Sequence, residues 1–208
     1  MKIQYTFCID IGFEERAKLL TESINKYSSE PFGITGYLTQ RAEEEFNEED
    51  LLYFENNLDL AKGPVPISDY PISSKAAALR AAEQTSADWY ILLDTDTAVV
   101  ASLDILEDLE TGLLLNPAHG GWSYWAQDDK LNMWEEIYHA FGQDPPKRKI
   151  ESTIDGSPMI PYWSAGVVIT SQPVAEKWIH RMRVIRESFE SNYFSDQVAL
   201  STIAENRG

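Results

Sequence analysis

The chain has 208 residues, of which 43% are hydrophobic and 12% aromatic, and a formal net charge of -17. That size and composition suit a single globular domain with its own core, and the acidity argues against a nucleic-acid partner, whose binding depends on neutralising phosphates with Lys and Arg. One cysteine, Cys8, rules out an internal disulfide framework; no uncharged run approaches the ~20 residues of a membrane helix, and no secretory signal pattern opens the chain, so a soluble cytoplasmic protein is expected.

Residues 3–9, IQYTFCI, alternate with period two and predict a strand that stops before Asp10 and Gly12. Phe13, Ala17, Leu20, Ile24 and Tyr27 then recur at helical spacing. Strand followed by helix opens an α/β domain, and FGITGYL (32–38) predicts a second strand. The charge-dense stretch 43–58 reads as a solvated helix or loop with one side packed down, and the Pro-punctuated 63–71 as loop. SSKAAALRAAEQTSA predicts a strong helix capped by Ser73 or Ser74. After it, DWYILL is a continuous apolar run of the kind found in a central strand buried on both faces.

Asp94 and Asp96 sit one residue apart where that run ends. A polar strand end or helix cap is the ordinary reading of such a pair. Their place at the carboxyl end of a buried strand, where open α/β sheets bind ligands, favours a site. Further on, Ser102 is expected to cap a helix over LDILEDLET that Gly112 ends, and GLLL to form a short strand. LNMWEEIYHAF carries Leu131, Trp134 and Phe141 at helical spacing, and DPPKRK (144–149) is a Pro-led basic loop. YWSAGVVIT predicts another buried strand, a long amphipathic helix follows with Val174, Trp178, Met182, Ile185 and Phe189 on its stripe, and a last helix starts near Ser195 or Asp196.

This order, with Lys75 on the Ala-rich helix, Asp-x-Asp after a buried strand, SAGVVI in a later strand and a helix opening DQVAL, resembles a GT-A glycosyltransferase from about residue 3 to about residue 203. The resemblance implies an α/β fold with a central, mostly parallel sheet flanked by helices, forming one domain over 1–208. It implies transfer of a sugar from a nucleotide diphosphate donor, UDP-linked in the first instance, to a carbohydrate, lipid or protein acceptor. Asp96 would coordinate Mn2+ or Mg2+, a hard cation suited to carboxylate oxygens and to neutralising a diphosphate leaving group, and Asp94 would bind the donor ribose or sugar, or the metal through water. Cys8, Ile9 and Asp10 lie where such enzymes seat base and ribose, and Lys75, Asp94 and Thr95 where they meet the donor.

The layout is most similar to retaining enzymes of the glycogenin-like and blood-group-transferase-like kinds. By that likeness Trp163, Ser164, Ala165 and Gly166 line the acceptor side, although the usual Asn is absent, and Asp196 with Gln197 stands beside the sugar as the catalytic pair. His119 is the most plausible site histidine; His139 and His180 read as structural. Trp122 and Trp125 are further candidates for sugar contact, whereas Trp134 and Trp178 read as core. Metal-dependent members often take a third ligand, commonly His, from a later segment, and no His follows His180 here. A tail not included, a water ligand and an impaired enzyme all fit that observation.

Lys75 falls in the first turn of its helix, where the dipole disfavours a cation, which hints at an anionic partner. Two rival functions stand beside the transferase. A haloacid-dehalogenase-type phosphohydrolase also places Asp-x-Asp after a buried strand, with Asp128 and Asp129 as its later acidic pair, but Ala98 stands where that motif wants Thr or Val. A non-catalytic sugar-nucleotide binding domain would fit the missing Asn and third ligand.

Overall fold

The computed structural model describes residues 1–109, 112–118, 131–152, 156–189 and 194–205. In chain order they form β1 (Ile3–Ile9), α1 (Glu14–Tyr27), β2 (Phe32–Thr39), α2 (Gln40–Glu45), α3 (Glu48–Asn57), β3 (Asp59–Gly63), α4 (Ser74–Ala82), β4 (Trp89–Leu93) and β5 (Leu113–Pro117). Then come α5 (Leu131–Ala140), a short β6–β7 pair (Ile150–Glu151 with Pro158–Met159), β8 (Trp163–Thr170), α6 (Ala175–Ser188) and α7 (Ser195–Ala204), with 3-10 turns at Pro71–Ser73 and Asp104–Asp108. Six strands make one sheet in the order β3-β2-β1-β4-β8-β5. β1 runs parallel to both β2 and β4, β2 parallel to β3, and β8 antiparallel to β4. The expected α/β class with a mostly parallel sheet is therefore the observed one.

Each compact unit joins separate stretches of chain: Met1–Leu114 with Gly166–Ile179 in the first, Leu115–Ala165 with His180–Gly208 in the second. The boundaries fall inside β5, β8 and α6, so no linker marks them.

In the first unit, β1 is buried on both faces because α1 and α4 supply apolar partners for its alternating side chains. Ala17, Leu20 and Ile24 of α1 are fully buried in a cluster with Ile3, Tyr5, Phe7, Ile9, Phe54 and Ile91. Burying such side chains stabilises by about 1.5–3 kcal/mol each, an upper bound that chain entropy largely offsets. The helix α4 is almost all alanine on its inner face (Ala76, Ala77, Ala78, Ala82), so its backbone lies close to the sheet, and the Thr6 hydroxyl of β1 donates to the Ala78 carbonyl at 3.0 Å. Gly36 in β2 answers a similar need, since a Cβ there would sit 2.6 Å from Leu58 Cδ1 and 2.9 Å from Ile9 Cδ1.

In the second unit, Trp134, Ile137, Tyr138 and Tyr162 are buried, the ring centroid of Trp134 lying 6.0 Å from that of Tyr138 and 6.1 Å from that of Tyr162. Val198, Ala199, Leu200 and Ile203 bury the inner face of α7. No helix among the described residues is long and apolar enough to cross a membrane.

Several local expectations need correction. Ser73 and Ser74 do not cap α4: the Ser73 hydroxyl accepts from the Ile67 amide at 3.1 Å, and the Ser74 hydroxyl donates to the Pro71 carbonyl at 2.6 Å. Ser73 closes the 3-10 turn that runs directly into α4 and is itself helical (φ -62°, ψ -16°), so it lacks the extended backbone of a capping residue. The helix expected after Ser102 is only the turn Asp104–Asp108, with no side-chain cap. β3 was not foreseen, because DLAKG has neither alternation nor β-branched residues; it is a strand because the open edge of β2 supplies its backbone partners.

Candidate active site

β1 pairs with β2 on one side and β4 on the other, so the chain's direction across the sheet reverses at β1. A crevice opens at such a point, beyond the carboxyl ends of the two strands. There the first unit holds a cavity of about 290 Å³, lined by Cys8 and Asp10 after β1, Phe13 ahead of α1, Pro71, Ile72, Ser74 and Lys75 at the start of α4, and Leu93, Asp94, Thr95 and Asp96 after β4. That volume is at the lower end of small-molecule sites.

Each polar group has an identifiable position. Asp10 Oδ1 accepts from the Ile11 amide and from the Thr39 hydroxyl, both at 2.9 Å, which fixes the carboxylate. The turn after it needs Gly12, whose φ of +79° is a left-handed conformation disfavoured for any residue with a Cβ. Phe13 then projects beside the cavity, 37% exposed, its ring under the Arg16 guanidinium at 5.5 Å. Asp94 is tied at its backbone, its amide donating to the Gly166 carbonyl at 2.7 Å and its carbonyl accepting from the Thr97 hydroxyl at 2.6 Å. Its side chain pairs with Lys75, Nζ to Oδ1 at 2.6 Å, the two side chains 24% and 28% exposed for Lys75 and Asp94. The anionic partner that the helix-start lysine called for is thus found within the chain. Asp96 is exposed at the rim.

Cys8 donates its thiol to the Ser74 hydroxyl at 3.1 Å. Burial pushes the thiol up to about 12, against the smaller opposing effect of that hydrogen bond. It is a neutral wall of the cavity and no nucleophile.

Among the described residues no three His, Cys, Asp or Glu side chains lie close enough together to hold a metal ion by themselves. Asp94 and Asp96 still offer the hard oxygen donors that Mn2+ or Mg2+ accepts. Mg2+ in particular binds through one or two carboxylates with waters and substrate phosphates completing its shell. The pair could hold such an ion only with a ligand's oxygens as the remainder.

Cys8, Asp10, Lys75, Asp94, Thr95 and Asp96, all expected from sequence, thus line one cavity. Ile9 does not join them: its side chain is fully buried against the core. Gly166 meets the site through its carbonyl, which receives the Asp94 amide. Phe13, Pro71, Ile72, Ser74 and Leu93 were missed. By spacing Phe13 belongs to the helical stripe of α1, and only its position just ahead of α1, after the Asp10 turn, marks it for the cavity.

The second unit places the other candidates. Asp196 is 2% exposed in the first turn of α7, where the helix dipole favours a carboxylate, and no side-chain cap is made by the preceding Phe194. Gln197 is half-buried beside it, its carbonyl receiving the Ser201 hydroxyl at 2.8 Å. Ala165 is buried and Ser164 half-buried in β8. Trp163 has its indole nitrogen committed to Glu205 at 3.2 Å, and the Arg148 guanidinium lies 5.9 Å from its ring centroid. Arg148 forks onto the same Glu205 carboxylate, so the basic loop at 144–149 spends one of its cations on an internal clamp. His119, Trp122, Trp125, Asp128 and Asp129 lie outside the described residues.

The model of a family described as the Rhodobacterales glycosyltransferase domain matches residues 10–208. No curated protein matches the chain. Among solved structures, the chain is similar to the glycosyltransferase GlyE of Streptococcus pneumoniae TIGR4, with 16% identity, a TM-score of 0.55, all of this chain covered and 44% of that one. It is similar to the galactosyltransferase LgtC, solved with donor and acceptor sugar analogues, at 12% identity, TM-score 0.55, 98% of this chain and 70% of that one. The bifunctional glycosyltransferase WbbM matches at 14% identity and TM-score 0.54, over 98% of this chain and 37% of its own length. The chain spans less than half of GlyE and WbbM, and at these identities the likeness establishes the fold, GT-A. The family match separates the transferase from the phosphohydrolase reading in favour of the first.

Proposed function

The chain belongs to the Rhodobacterales glycosyltransferase domain family, and on that premise we propose that it transfers a sugar from a nucleotide diphosphate, UDP-linked in the first instance, using Mn2+ or Mg2+. The observation that carries this reading is the cavity at the carboxyl ends of β1 and β4, in which an aromatic ring, a lysine and three aspartates face one space.

The base lies against Phe13, Pro71 and Ile72, an apolar wall on which any base has a face to stack. Asp10, with Oδ1 fixed by Thr39 and the Ile11 amide, accepts a ribose or base hydrogen with its remaining oxygen capacity. Lys75 supplies the local positive charge that a protein of net charge -17 must have to hold a diphosphate. When bound at Asp94 and Asp96, a divalent ion would neutralise the diphosphate as it leaves. Asp196, carried over from the resemblance, is the carboxylate we assign to steadying positive charge on the sugar carbon in a retaining transfer, with Gln197 as its neighbour. The acceptor is left as a hydroxyl-bearing carbohydrate, lipid or protein.

Calorimetric titration of UDP and GDP, each with and without Mn2+, tests the reading. Metal-dependent binding of UDP is expected, and Asp96→Ala is expected to remove its metal-dependent part. Unchanged affinity in that variant would sink the metal assignment. Binding with no turnover of any UDP-sugar would leave a sugar-nucleotide binding domain instead.

A further inference from the structure

Lys75 and Asp94 are paired at 2.6 Å in the same cavity that would take a nucleotide diphosphate and a cation. Lys75 stands in the first turn of α4, where the positive helix end makes an ammonium unfavourable unless an anion is near. In the described structure Asp94 is that anion. Both side chains are about three-quarters removed from water, so the pair is less screened than an open surface pair. Asp96, one residue beyond Thr95, is exposed at the rim and has no such partner among the described residues.

A divalent ion arriving alone therefore meets an Asp94 carboxylate already neutralised, with an ammonium against one of its two oxygens. Two cations within ~5 Å repel each other, and in a partly desolvated site that repulsion is several times its value in bulk water. A diphosphate changes the balance, because its oxygens offer Lys75 a second anion within the same cavity. Once the ammonium turns to the phosphates, Asp94 is open to a metal, and that metal in turn binds the phosphates.

We propose that Lys75 couples metal to nucleotide: it blocks Asp94 against a free divalent ion and releases it when a nucleotide diphosphate enters. The inference rests on the donor-site reading above and adds to it the order in which the site fills. Lys75 is in this respect a positioning residue, acting on the metal through Asp94.

The experiment is the binding of Mn2+ alone, followed by the electron paramagnetic resonance signal of the free ion, with and without saturating UDP, in the unaltered chain and in Lys75→Met, Lys75→Gln and Lys75→Arg. In the unaltered chain UDP is expected to tighten Mn2+ about tenfold, within the range usual for coupled sites, and Mn2+ to tighten UDP by the same factor. Lys75→Met and Lys75→Gln are expected to bind Mn2+ alone about tenfold more tightly than the unaltered chain, and to gain less from UDP, the gain that remains being the phosphates' own contact with the metal. Lys75→Arg keeps the cation and should keep the coupling. Absence of coupling in the unaltered chain overturns the inference without reference to any variant. If UDP and Mn2+ bind together normally but Lys75→Met and Lys75→Gln bind Mn2+ alone no more tightly, the inference falls and the donor site stands. If UDP does not bind under any condition, both fall.

Discussion

The lone thiol lining the cavity offers a direct probe of this site. Cys8 is the only cysteine, so a thiol reagent reads one position. Burial beside Ser74 pushes its pKa up to about 12, whereas a free thiol titrates near 8.5. At pH 8 that difference leaves roughly 2,000-fold less thiolate in the folded chain than in an unfolded one. A more basic thiolate is also a better nucleophile, and with a Brønsted slope of about 0.45 the shift of ~3.5 units returns a factor of ~40. The net expectation is reaction about 60-fold slower with an aromatic disulfide reagent in the folded chain than in guanidinium. Between pH 8 and 10 the folded rate should rise about tenfold per unit with no plateau, since the titration lies above that window. Because Cys8 lines the cavity, UDP with Mn2+ should slow the reaction further. A plateau near pH 9, or a folded rate within a few fold of the unfolded one, would refute the account of Cys8 as a buried neutral thiol. Equal rates with and without a nucleotide shown to bind would place that nucleotide elsewhere.

Gly36→Ala sets a methyl group against Leu58 Cδ1 and Ile9 Cδ1 at less than 3 Å, and both are held in the core around β1. A loss of about 1–3 kcal/mol in denaturant unfolding is expected; an unchanged midpoint would mean that Leu58 moves aside freely. Asp196→Asn keeps shape and helix-start geometry while removing the charge. UDP affinity should hold and turnover should fall by roughly 100-fold; equal turnover would reduce Asp196 to a favourable charge at the start of α7.

Much of this site was legible in the sequence because local pattern encodes burial. The run DWYILL has no polar face, so it had to be a covered strand, and Asp94 had to stand where it ends. Alternation marked β1 as a strand though not its burial, since Gln4 and Thr6 leave water with Ile3 and Tyr5, and helical spacing marked α1, α5 and α6. A lysine in the first turn of α4 hinted at an anion nearby without saying whether ligand or chain supplies it.

What those patterns do not carry is pairing between distant segments. β3 exists because β2 had an open edge, and β8 joins β4 antiparallel; neither follows from DLAKG or SAGVVI read alone. Phe13 became a wall of the cavity only because Gly12 turns the chain there and β1 and β4 lie side by side, bringing residues from 8–13, 71–75 and 93–96 to one crevice. The choice of Asp94 for Lys75 was likewise tertiary, since it depends on α4 lying close over β1 and β4 through its alanine face. Periodicity along the chain fixes which faces are buried, whereas the meeting of those faces depends on contacts far apart in sequence.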